Sequence, residues 1–442
     1  MVLLKNFKNI FLIPELLKKI LYTLGVLIIF RLGSYIPIIG INSSLLAEYM
    51  KRQTTLGGLL SYLDIFSGGS LQYCTLFALG IGPYITASIM MQLLSMSIPS
   101  LEALVKEGDY GRKIVNQYTR YLAAILSIGY SFAYALSLEG ANAANPGLLL
   151  YTGWTFKFIF VLSMTVGSLF VMWLGEQISI YGIGSGSSMI IFAGIIAKFP
   201  EYIIRTIYSV QTGSLGITAA IFILLIFIFV AGCIVFLEKG ERKIPVQYAR
   251  RIIGNKIYGG QSTYIPFKIN SAGIMPVIFA NSVLNIPIFL ITMLAGKFAI
   301  FQWFADALNR GLLYHALDFV LIIVFSFVYT AIQFNPVELA DNLKKSGGFI
   351  PGIRPGKNTA NFFDYLLVRL GLVGAIYLAT LAVFPNLLNL IFSLPFPLGG
   401  TSLLIVVGVA LETSAQIEAY LIENKYEGFL PSGARVKSRL AR

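Results

Sequence analysis

Charged residues are scarce in this 442-residue chain: they make up 12% of it, whereas 57% of the residues are hydrophobic. Soluble domains carry about 25% charged and about 45–50% apolar residues. With a mean hydropathy of +0.78, the chain has too few polar side chains to cover a surface that faces water. The composition therefore excludes an ordinary soluble protein and a disordered or collagen-like chain, and it predicts that the apolar excess faces lipid.

Cysteine and histidine are nearly absent. Cys74 and Cys233 are the only cysteines, and both lie within or beside apolar stretches with no second cysteine or histidine at ligand spacing. This pattern excludes a disulfide framework and predicts no metal site. The single histidine, His315, lies near the outer end of an apolar stretch, where we interpret it as an interfacial residue.

The motifs of the common enzyme classes are missing as well. The chain has no H-E-x-x-H, G-x-S-x-G or G-x-x-x-x-G-K-[ST] pattern, so metal, acyl-transfer and phosphate-loop chemistry lack their minimum parts. The Gly182-Ile-Gly184-Ser-Gly186 stretch resembles a dinucleotide-binding loop only superficially, because no strand precedes it. The sequence predicts neither an enzyme nor a bound cofactor.

Acidic residues deep in a span, which ion-coupled transporters use to take up protons or sodium, are also few. Arg31 and Glu412 are the only charged residues that the sequence places well away from a span end. Snorkelling or pairing within the bundle would explain both. Six others can reach an interface: Lys157, Lys198, Arg205, Asp318, Arg369 and Glu418. Without a chain of acids, the driving force for any transport must come from outside this subunit.

What the sequence does contain is a series of long apolar segments. A bilayer core about 30 Å thick needs about 20 apolar residues per helix, because no backbone group can stay unpaired in hydrocarbon. Ten segments meet this requirement: 20–39, 75–97, 121–139, 154–174, 187–206, 217–237, 271–295, 312–334, 366–388 and 401–421. They predict an all-α polytopic membrane protein with ten transmembrane helices.

Lysine and arginine indicate the orientation, since they are enriched in cytosolic loops. Of the 33 basic residues, 25 lie on the side of the two termini, seven lie on the opposite side, and Arg31 lies within the first segment. Both termini are therefore expected to be cytosolic. We interpret residues 1–19, which are broken by Pro14 and Glu15, as a retained cytosolic segment and not as a signal peptide.

Ten spans divide into two halves of five, and an odd number inverts the second half relative to the first. Such repeats place the working site between the halves. We expect an N-terminal half over 1–206, a C-terminal half over 207–422 and a basic tail over 423–442. The second span of each half is interrupted by glycine and proline, at Gly80-Ile-Gly-Pro83 and at Gly273-Ile-Met-Pro276.

Both interrupted spans are unusually polar. They carry hydroxyl and amide side chains at Thr86, Ser88 and Gln92, and at Ser271, Asn281, Ser282 and Asn285. Buried polar groups need partners or water. Two interpretations stay open: these residues hydrogen-bond to neighbouring helices, or they line a helix interface that opens.

The stretch 62–71, Tyr-Leu-Asp-Ile-Phe-Ser-Gly-Gly-Ser-Leu, is too apolar for a solvated loop and too short and glycine-broken to span a membrane. Irregular backbone at membrane depth is tolerated where protein lines a cavity, so one interpretation is a re-entrant segment. An interfacial helix on the outer leaflet is the alternative.

Two loops on the cytosolic side are suited to contact with a partner. Loop 238–270 has seven basic and two acidic residues, and its alternating apolar residues from Ile244 to Tyr248 predict a hairpin. Loop 335–365 presents Arg354 on a turn rich in glycine and proline. This positive charge would suit RNA phosphates, an acidic protein surface or anionic lipid.

Longer motifs spread over nearly the whole chain: Phe66-Ser-Gly-Gly69, Asn116-Gln-Tyr-Thr-Arg-Tyr121, Met172-Trp-Leu-Gly-Glu-Gln-Ile178, Ala340-Asp-Asn-Leu-Lys-Lys-Ser-Gly347, Phe349-Ile-Pro-Gly-Ile-Arg-Pro-Gly356 and Gly399-Gly-Thr-Ser-Leu-Leu-Ile405. They resemble motifs of the SecY family of protein-conducting channels. The resemblance implies a ten-helix clamshell around an hourglass pore, which is closed on the outside by a plug and at its waist by a ring of apolar side chains.

Carried over position by position, the resemblance assigns four sets of residues. The pore ring falls on Ile81, Ile85, Ser187, Ile191, Ile278 and Ile405, of which Ser187 departs from the apolar pattern. The plug is the 62–71 segment, in particular Asp64, Ile65, Phe66, Ser67, Gly68, Gly69, Ser70 and Leu71. The lateral gate includes Pro83, Thr86, Ser88, Gln92, Pro276, Asn281 and Asn285. Docking of a motor or a ribosome falls on Arg242, Lys243, Arg250, Arg251, Lys256 and Arg354.

The resemblance further implies a passive channel that moves unfolded secretory chains with signal sequences outward and releases apolar segments sideways into lipid. It implies a SecA-type motor ATPase or a translating ribosome as driving partner, small SecE-like and SecG-like membrane subunits, and a location in the bacterial plasma membrane. Two other functional classes are the alternatives: a secondary transporter for a small solute, and a structural insertion scaffold without a pore.

Overall fold

The computed structural model describes residues 13–46, 67–213, 216–248, 251–253, 256–258, 262–284, 312–392 and 399–427. Helices dominate these ranges, because a helix satisfies its backbone hydrogen bonds internally. They are α1 (Pro14–Gly33), α2 (Gly82–Ser97), α3 (Pro99–Lys106), α4 (Asp109–Ala144), α5 (Trp154–Tyr181), α6 (Gly186–Gln211), α7 (Ile217–Lys239), α8 (Met275–Leu284), α9 (Leu312–Gln333), α10 (Pro336–Lys345), α11 (Lys357–Phe392) and α12 (Gly400–Glu427).

Seven helices in the described ranges are long and apolar enough to cross a membrane. The count is eight if α2 and α3, which meet at 101°, form one broken span. The prediction of an all-helical, multi-pass membrane protein is confirmed at this level. Large apolar side chains on α7, among them Phe229 and Phe236, are exposed, as expected for a helix that faces lipid.

Helix α1 begins earlier than predicted. The sequence predicts a first span over 20–39, whereas the helix starts at Pro14 and ends at Gly33. Proline in the first turn of a helix loses no hydrogen bond, so Pro14 starts the helix instead of breaking the N-terminal segment. Beyond Gly33 the chain leaves the helix, and the amide of Ile38 donates to the carbonyl of Cys74 at 3.1 Å.

Helix α2 begins later than predicted. The sequence predicts a span over 75–97, but residues 67–81 form turns and the helix starts only after them. Gly68, Gly69 and Gly80 have φ angles of +68°, +94° and +54°, a region that favours glycine. These glycines hold an irregular backbone immediately before α2.

One shared core joins helices that are distant in sequence. It buries Phe30 of α1, Val171 and Ile178 of α5, Ile190 of α6 and Val409 of α12 in one cluster. A second cluster packs α2 and α8 against α7, α9, α11 and α12. Both clusters contain residues from both predicted halves, so the halves meet through apolar side chains.

The polar loops that follow α7 and α9 contain the strands β1 (Glu241–Tyr248), β2 (Arg251–Ile253), β3 (Lys256–Tyr258), β4 (Ser262–Lys268) and β5 (Gly348–Phe349). They form two separate sheets, one of three strands in the order β4-β1-β5 and one of β2 and β3. Strand β1 pairs antiparallel with β4 and with β5, and β2 pairs antiparallel with β3. The predicted hairpin is confirmed.

A separate core packs against the three-stranded sheet of β4, β1 and β5. Ile244, Val246 and Phe267 pack in one cluster with Leu343 of α10 and Phe363 of α11. The second loop thereby becomes part of the same packed unit as the hairpin. The sequence pattern gives no sign of this union, because β5 is only two residues long.

Three polar side chains of the long helices are buried by protein. His315 and Asp318 of α9 are 8% and 0% exposed, and Lys198 of α6 is 7% exposed, because α9 packs along α11 and α6 packs against α5 and α12. Burial by neighbouring helices does not fix the depth of a residue in the membrane, so their position near an interface stays a prediction. Neither carboxylate oxygen of Asp318 has a hydrogen-bond partner in the described part of the chain.

Candidate functional site

Four isoleucines of the predicted ring come from four separate segments and meet in one apolar cluster. Ile81 precedes α2, Ile191 lies in α6, Ile278 in α8 and Ile405 in α12, and their exposed fractions are 4%, 1%, 6% and 0%. Ile85 is only partly buried and packs against the same cluster. The structure therefore brings together the five apolar members of the ring, and their role as a seal stays a prediction.

Ser187 differs from the other ring residues in its contacts. It lies in the first turn of α6 and is half-buried. Its Oγ lies 3.2 Å from Oγ of Ser185, within hydrogen-bonding distance. A hydroxyl with a polar neighbour repels water less than an isoleucine does. Ser187 is not among the residues of the isoleucine cluster, and its place in the ring stays a prediction.

The described part of the predicted plug is a buried turn. Ser67, Ser70 and Leu71 are 2%, 1% and 4% exposed, whereas Asp64, Ile65 and Phe66 lie outside the described residues. Oγ of Ser70 donates to the carbonyl of Ser67 at 2.7 Å. Over 67–71 the chain is thus an irregular segment covered by protein, as the re-entrant interpretation requires, and not a helix.

This turn lies directly beside the ring. A Cβ atom at Gly80 would lie 3.7 Å from Cα of Ser67, and Gly80 immediately precedes Ile81. On its other side, the hydroxyl of Tyr134 donates to the carbonyl of Leu71 at 3.3 Å. The turn is therefore held between α4 and the start of α2.

The two helices of the predicted gate begin in the same way. Pro83 lies in the first turn of α2, and Pro276 is the second residue of α8. Ile89 of α2 shares a core cluster with Val277 and Ala280 of α8. The predicted gate helices therefore contribute to one apolar contact.

The two gate helices also carry polar side chains. Thr86 of α2 satisfies its hydroxyl by donating to the carbonyl of Gly82 at 3.1 Å, and Ser88 is half-buried. Oε1 of Gln92 and Oδ1 of Asn281 are buried with no hydrogen-bond partner in the described part of the chain. An unsatisfied buried oxygen costs about 1–3 kcal/mol, so these two amides reduce the stability of the packing around them. Asn285 lies outside the described residues.

The predicted docking residues of the hairpin lie on three strands. Arg242 and Lys243 of β1 are exposed, Arg251 and Lys256 belong to β2 and β3, and Arg250 lies outside the described residues. The ammonium group of Lys243 lies 3.3 Å from the Glu241 carboxylate, and that hydrogen bond raises the pKa of Lys243. The raised pKa means that the Glu241 carboxylate favours the charged form of the Lys243 ammonium group.

Arg354 belongs to the same packed unit. It is exposed on the turn between β5 and α11, and its carbonyl accepts a hydrogen bond from the Thr359 hydroxyl at 3.1 Å. Gly352 and Gly356 flank it with φ angles of +85° and +105°. Because β5 pairs with β1, this turn and the basic hairpin form one surface.

The sequence of this chain matches a known family. Its profile, SecY, matches residues 75–414. The chain belongs to the SecY family. The protein translocase subunit SecY of Aquifex aeolicus is 43% identical over 432 residues, which are 96% of this chain and 98% of that protein. The protein translocase subunit SecY of Thermus thermophilus is 42% identical over 448 residues, which are 99% of this chain and 100% of that protein.

Solved structures share the fold of this SecY-family chain. One solved structure has a TM-score of 0.64 at 19% identity, and the match covers 95% of each chain. That work reports that the plug domain of the SecY protein stabilizes the closed state of the translocation channel and maintains a membrane seal. Another, of Sec61 in the canine ribosome-channel complex from the endoplasmic reticulum, has a TM-score of 0.56 at 18% identity with the same coverage. These likenesses show that the chain shares the helical fold of those channels; the count of ten helices in two inverted halves stays a prediction.

One contact of this SecY-family site was not predicted. Arg31, which the sequence places deep in a span, lies in the last turn of α1. Its Nη1 donates to the carbonyl of Gly68 at 2.9 Å, and its Nη2 donates to the hydroxyl of Tyr35 at 2.8 Å. The only sequence signal for this contact is a charge in an apolar helix.

Proposed function

We propose that this SecY-family chain is the channel-forming subunit of a protein translocase. It moves unfolded secretory polypeptides outward through the isoleucine ring and releases apolar segments into lipid between α2 and α8. One observation carries the proposal: isoleucines from four separate segments converge in one cluster, and the buried Ser67–Leu71 turn lies directly beside it.

Apolar side chains are suited to such a seal. A dry apolar constriction blocks ions because they would lose hydration there. Isoleucine side chains contain no polar atom that could hold water in the gap. A ring contributed by separate helices can also widen around a passing chain, because each isoleucine moves with its own helix.

The proposed architecture has ten transmembrane helices in two inverted halves, over 1–206 and 207–422, with a basic tail over 423–442. Both termini lie in the cytosol, and the membrane is the bacterial plasma membrane. The bacterial relatives and the excess of basic residues on one side of the predicted spans support this orientation.

A partner drives transport in this proposal, which is supported by the lack of a G-x-x-x-x-G-K-[ST] phosphate loop in the sequence. We propose that a SecA-type motor ATPase or a translating ribosome docks on the surface formed by the hairpin and the Arg354 turn. The relationship to Sec61 in a ribosome-channel complex supports the ribosome as one partner. SecE-like and SecG-like membrane subunits complete the proposed complex, and polypeptides with signal sequences are its substrates.

The test is site-specific photocrosslinking of a stalled secretory precursor. A photoreactive amino acid replaces Ile81 or Ile278 in the ring, and as a matched control it replaces Phe236 on α7, which is 75% exposed. We expect crosslinks to the precursor from both ring positions and none from residue 236. Crosslinks from residue 236 alone, or from none of the three, would contradict passage through the ring.

A further inference from the structure

Two basic side chains lie on the Gly68-Gly69 turn from different helices. From α1, the Arg31 guanidinium donates to the carbonyl of Gly68 at 2.9 Å. From α6, the Lys198 side chain covers the next residue: a Cβ atom at Gly69 would lie 3.2 Å from its Cε and 4.0 Å from its Nζ. The turn is thus enclosed by α1 on one side and by α6 on the other.

The backbone of the turn approaches α6 as closely as glycine allows. A Cβ atom at Gly68 would lie 3.0 Å from Cα and 3.1 Å from the carbonyl oxygen of Gly194. Both glycines of the turn have positive φ angles, which most other residues adopt only at a cost. A larger residue at either position would crowd α6 or the Lys198 side chain, so the two glycines allow Arg31 to reach the Gly68 carbonyl and Lys198 to lie close to Gly69.

The burial of these charges requires a reason. Lys198 is only 7% exposed, and Arg31 is half-buried. A buried cation is costly unless acceptors or charges surround it, and arginine cannot escape the cost by losing its proton. The carbonyl of Gly68 gives Arg31 an acceptor only while the turn stays in place, so the position of the turn and the burial of the charge depend on each other.

We infer that Arg31 and Lys198 form a clamp that holds the Ser67–Leu71 turn against the ring, and that the channel opens only when both side chains release it. This role rests on the proposed function, since the clamp holds the segment that we propose as the plug. When the turn withdraws, Arg31 loses the Gly68 carbonyl as an acceptor, and the Lys198 side chain no longer lies against Gly69. The strength of these contacts therefore sets the free energy needed to leave the closed state.

The test measures exposure of the turn directly. Ser67, which is 2% exposed, is replaced by cysteine in a chain whose own cysteines carry Cys74→Ser and Cys233→Ser. A membrane-impermeant maleimide then labels residue 67 in membrane vesicles of the intact complex. We expect labelling about tenfold faster with Arg31→Gln, the size expected for one lost hydrogen bond to a charged group. We expect a rise in the same direction with Lys198→Met.

Control variants separate the clamp from a loss of charge in general. Lys157→Met removes a basic residue that is paired with Glu139 at 2.9 Å, and Arg205→Gln removes one that is paired with Glu201. Neither is expected to change labelling. Arg31→Lys keeps a positively charged donor, so its labelling rate should lie between those of the parent and of Arg31→Gln. If Arg31→Gln does not accumulate, Arg31→Lys is used in its place.

Ion leak from the same vesicles distinguishes the clamp from the proposed function. Faster labelling together with leak supports both. Faster labelling without leak supports the clamp and contradicts the turn as a seal. Unchanged labelling in the Arg31 and Lys198 variants, or an equal rise in the Lys157 and Arg205 controls, would overturn the clamp whatever the leak.

Discussion

The backbone amide of Gly184 donates a hydrogen bond to Oε1 of Gln416 at 2.8 Å, although the two residues are 232 positions apart. Gly184 lies in the turn between α5 and α6, and Gln416 lies in α12. The preceding amide, of Ile183, donates to the hydroxyl of Thr23 in α1 at 3.1 Å. A single turn is therefore held by α1 and by α12, which are far apart in the sequence.

We expect Gln416→Leu to lower thermal stability. It leaves the Gly184 amide without its acceptor, and an unsatisfied backbone group of this kind costs about 1–3 kcal/mol. The melting temperature of the purified protein in detergent should fall. Gln177→Leu is the matched control, because Gln177 accepts only a 3.5 Å, exposed hydrogen bond from Tyr22. Equal melting temperatures for the two variants would contradict a structural role for the Gln416 contact.

The glycine-rich turn that holds Gly184 shows where sequence patterns stop being informative. Its spacing resembles a nucleotide loop, and only the missing strand argues against that interpretation. Its actual partners, Thr23 and Gln416, lie in helices at opposite ends of the chain. Local pattern predicts that a segment is helical or turned, but it does not predict which distant side chain faces a given amide.

The positions of the ring could be predicted from the sequence, whereas the contact between Arg31 and the turn could not. Gly80 and Pro83 mark the interrupted span that carries Ile81, and the resemblance to a family assigns the remaining ring positions. Arg31 carries no comparable signal, since its partner is the main-chain carbonyl of Gly68. Every residue has a main-chain carbonyl, so a hydrogen bond to one leaves no pattern in the sequence.

Charge reversal at Arg354 should block export. Arg354→Glu removes a fixed positive charge from the surface shared by the hairpin and the second loop, and a negative or phosphate-rich partner would then be repelled. Export of a secretory precursor into reconstituted vesicles should be lost while the amount of folded protein is unchanged. Lys106→Glu is the control, because Lys106 is exposed on α3 and is paired with Glu102. Normal export with Arg354→Glu would show that Arg354 does not belong to the docking surface.

The amide side chains between α2 and α8 should favour opening. Gln92→Leu removes a buried oxygen that has no partner in the described part of the chain, at nearly constant volume. We expect stabilisation by about 1–3 kcal/mol, seen as a higher melting temperature, together with slower insertion of a weakly apolar test segment. Gln117→Leu, at an exposed position of α4, should change neither. A lower melting temperature with Gln92→Leu would show that its amide is satisfied.

Two substitutions at Ile405 separate the polarity of the ring from its size. Ile405 is 0% exposed within the cluster, and valine and threonine have nearly the same shape, so Ile405→Val and Ile405→Thr remove similar volume while only threonine adds a hydroxyl. Because a polar constriction holds water and a dry one excludes it, vesicles with Ile405→Thr should leak ions faster than vesicles with Ile405→Val. Equal leak in the two would mean that the ring seals by steric fit, and no leak in either would mean that the turn beside it seals the closed channel alone.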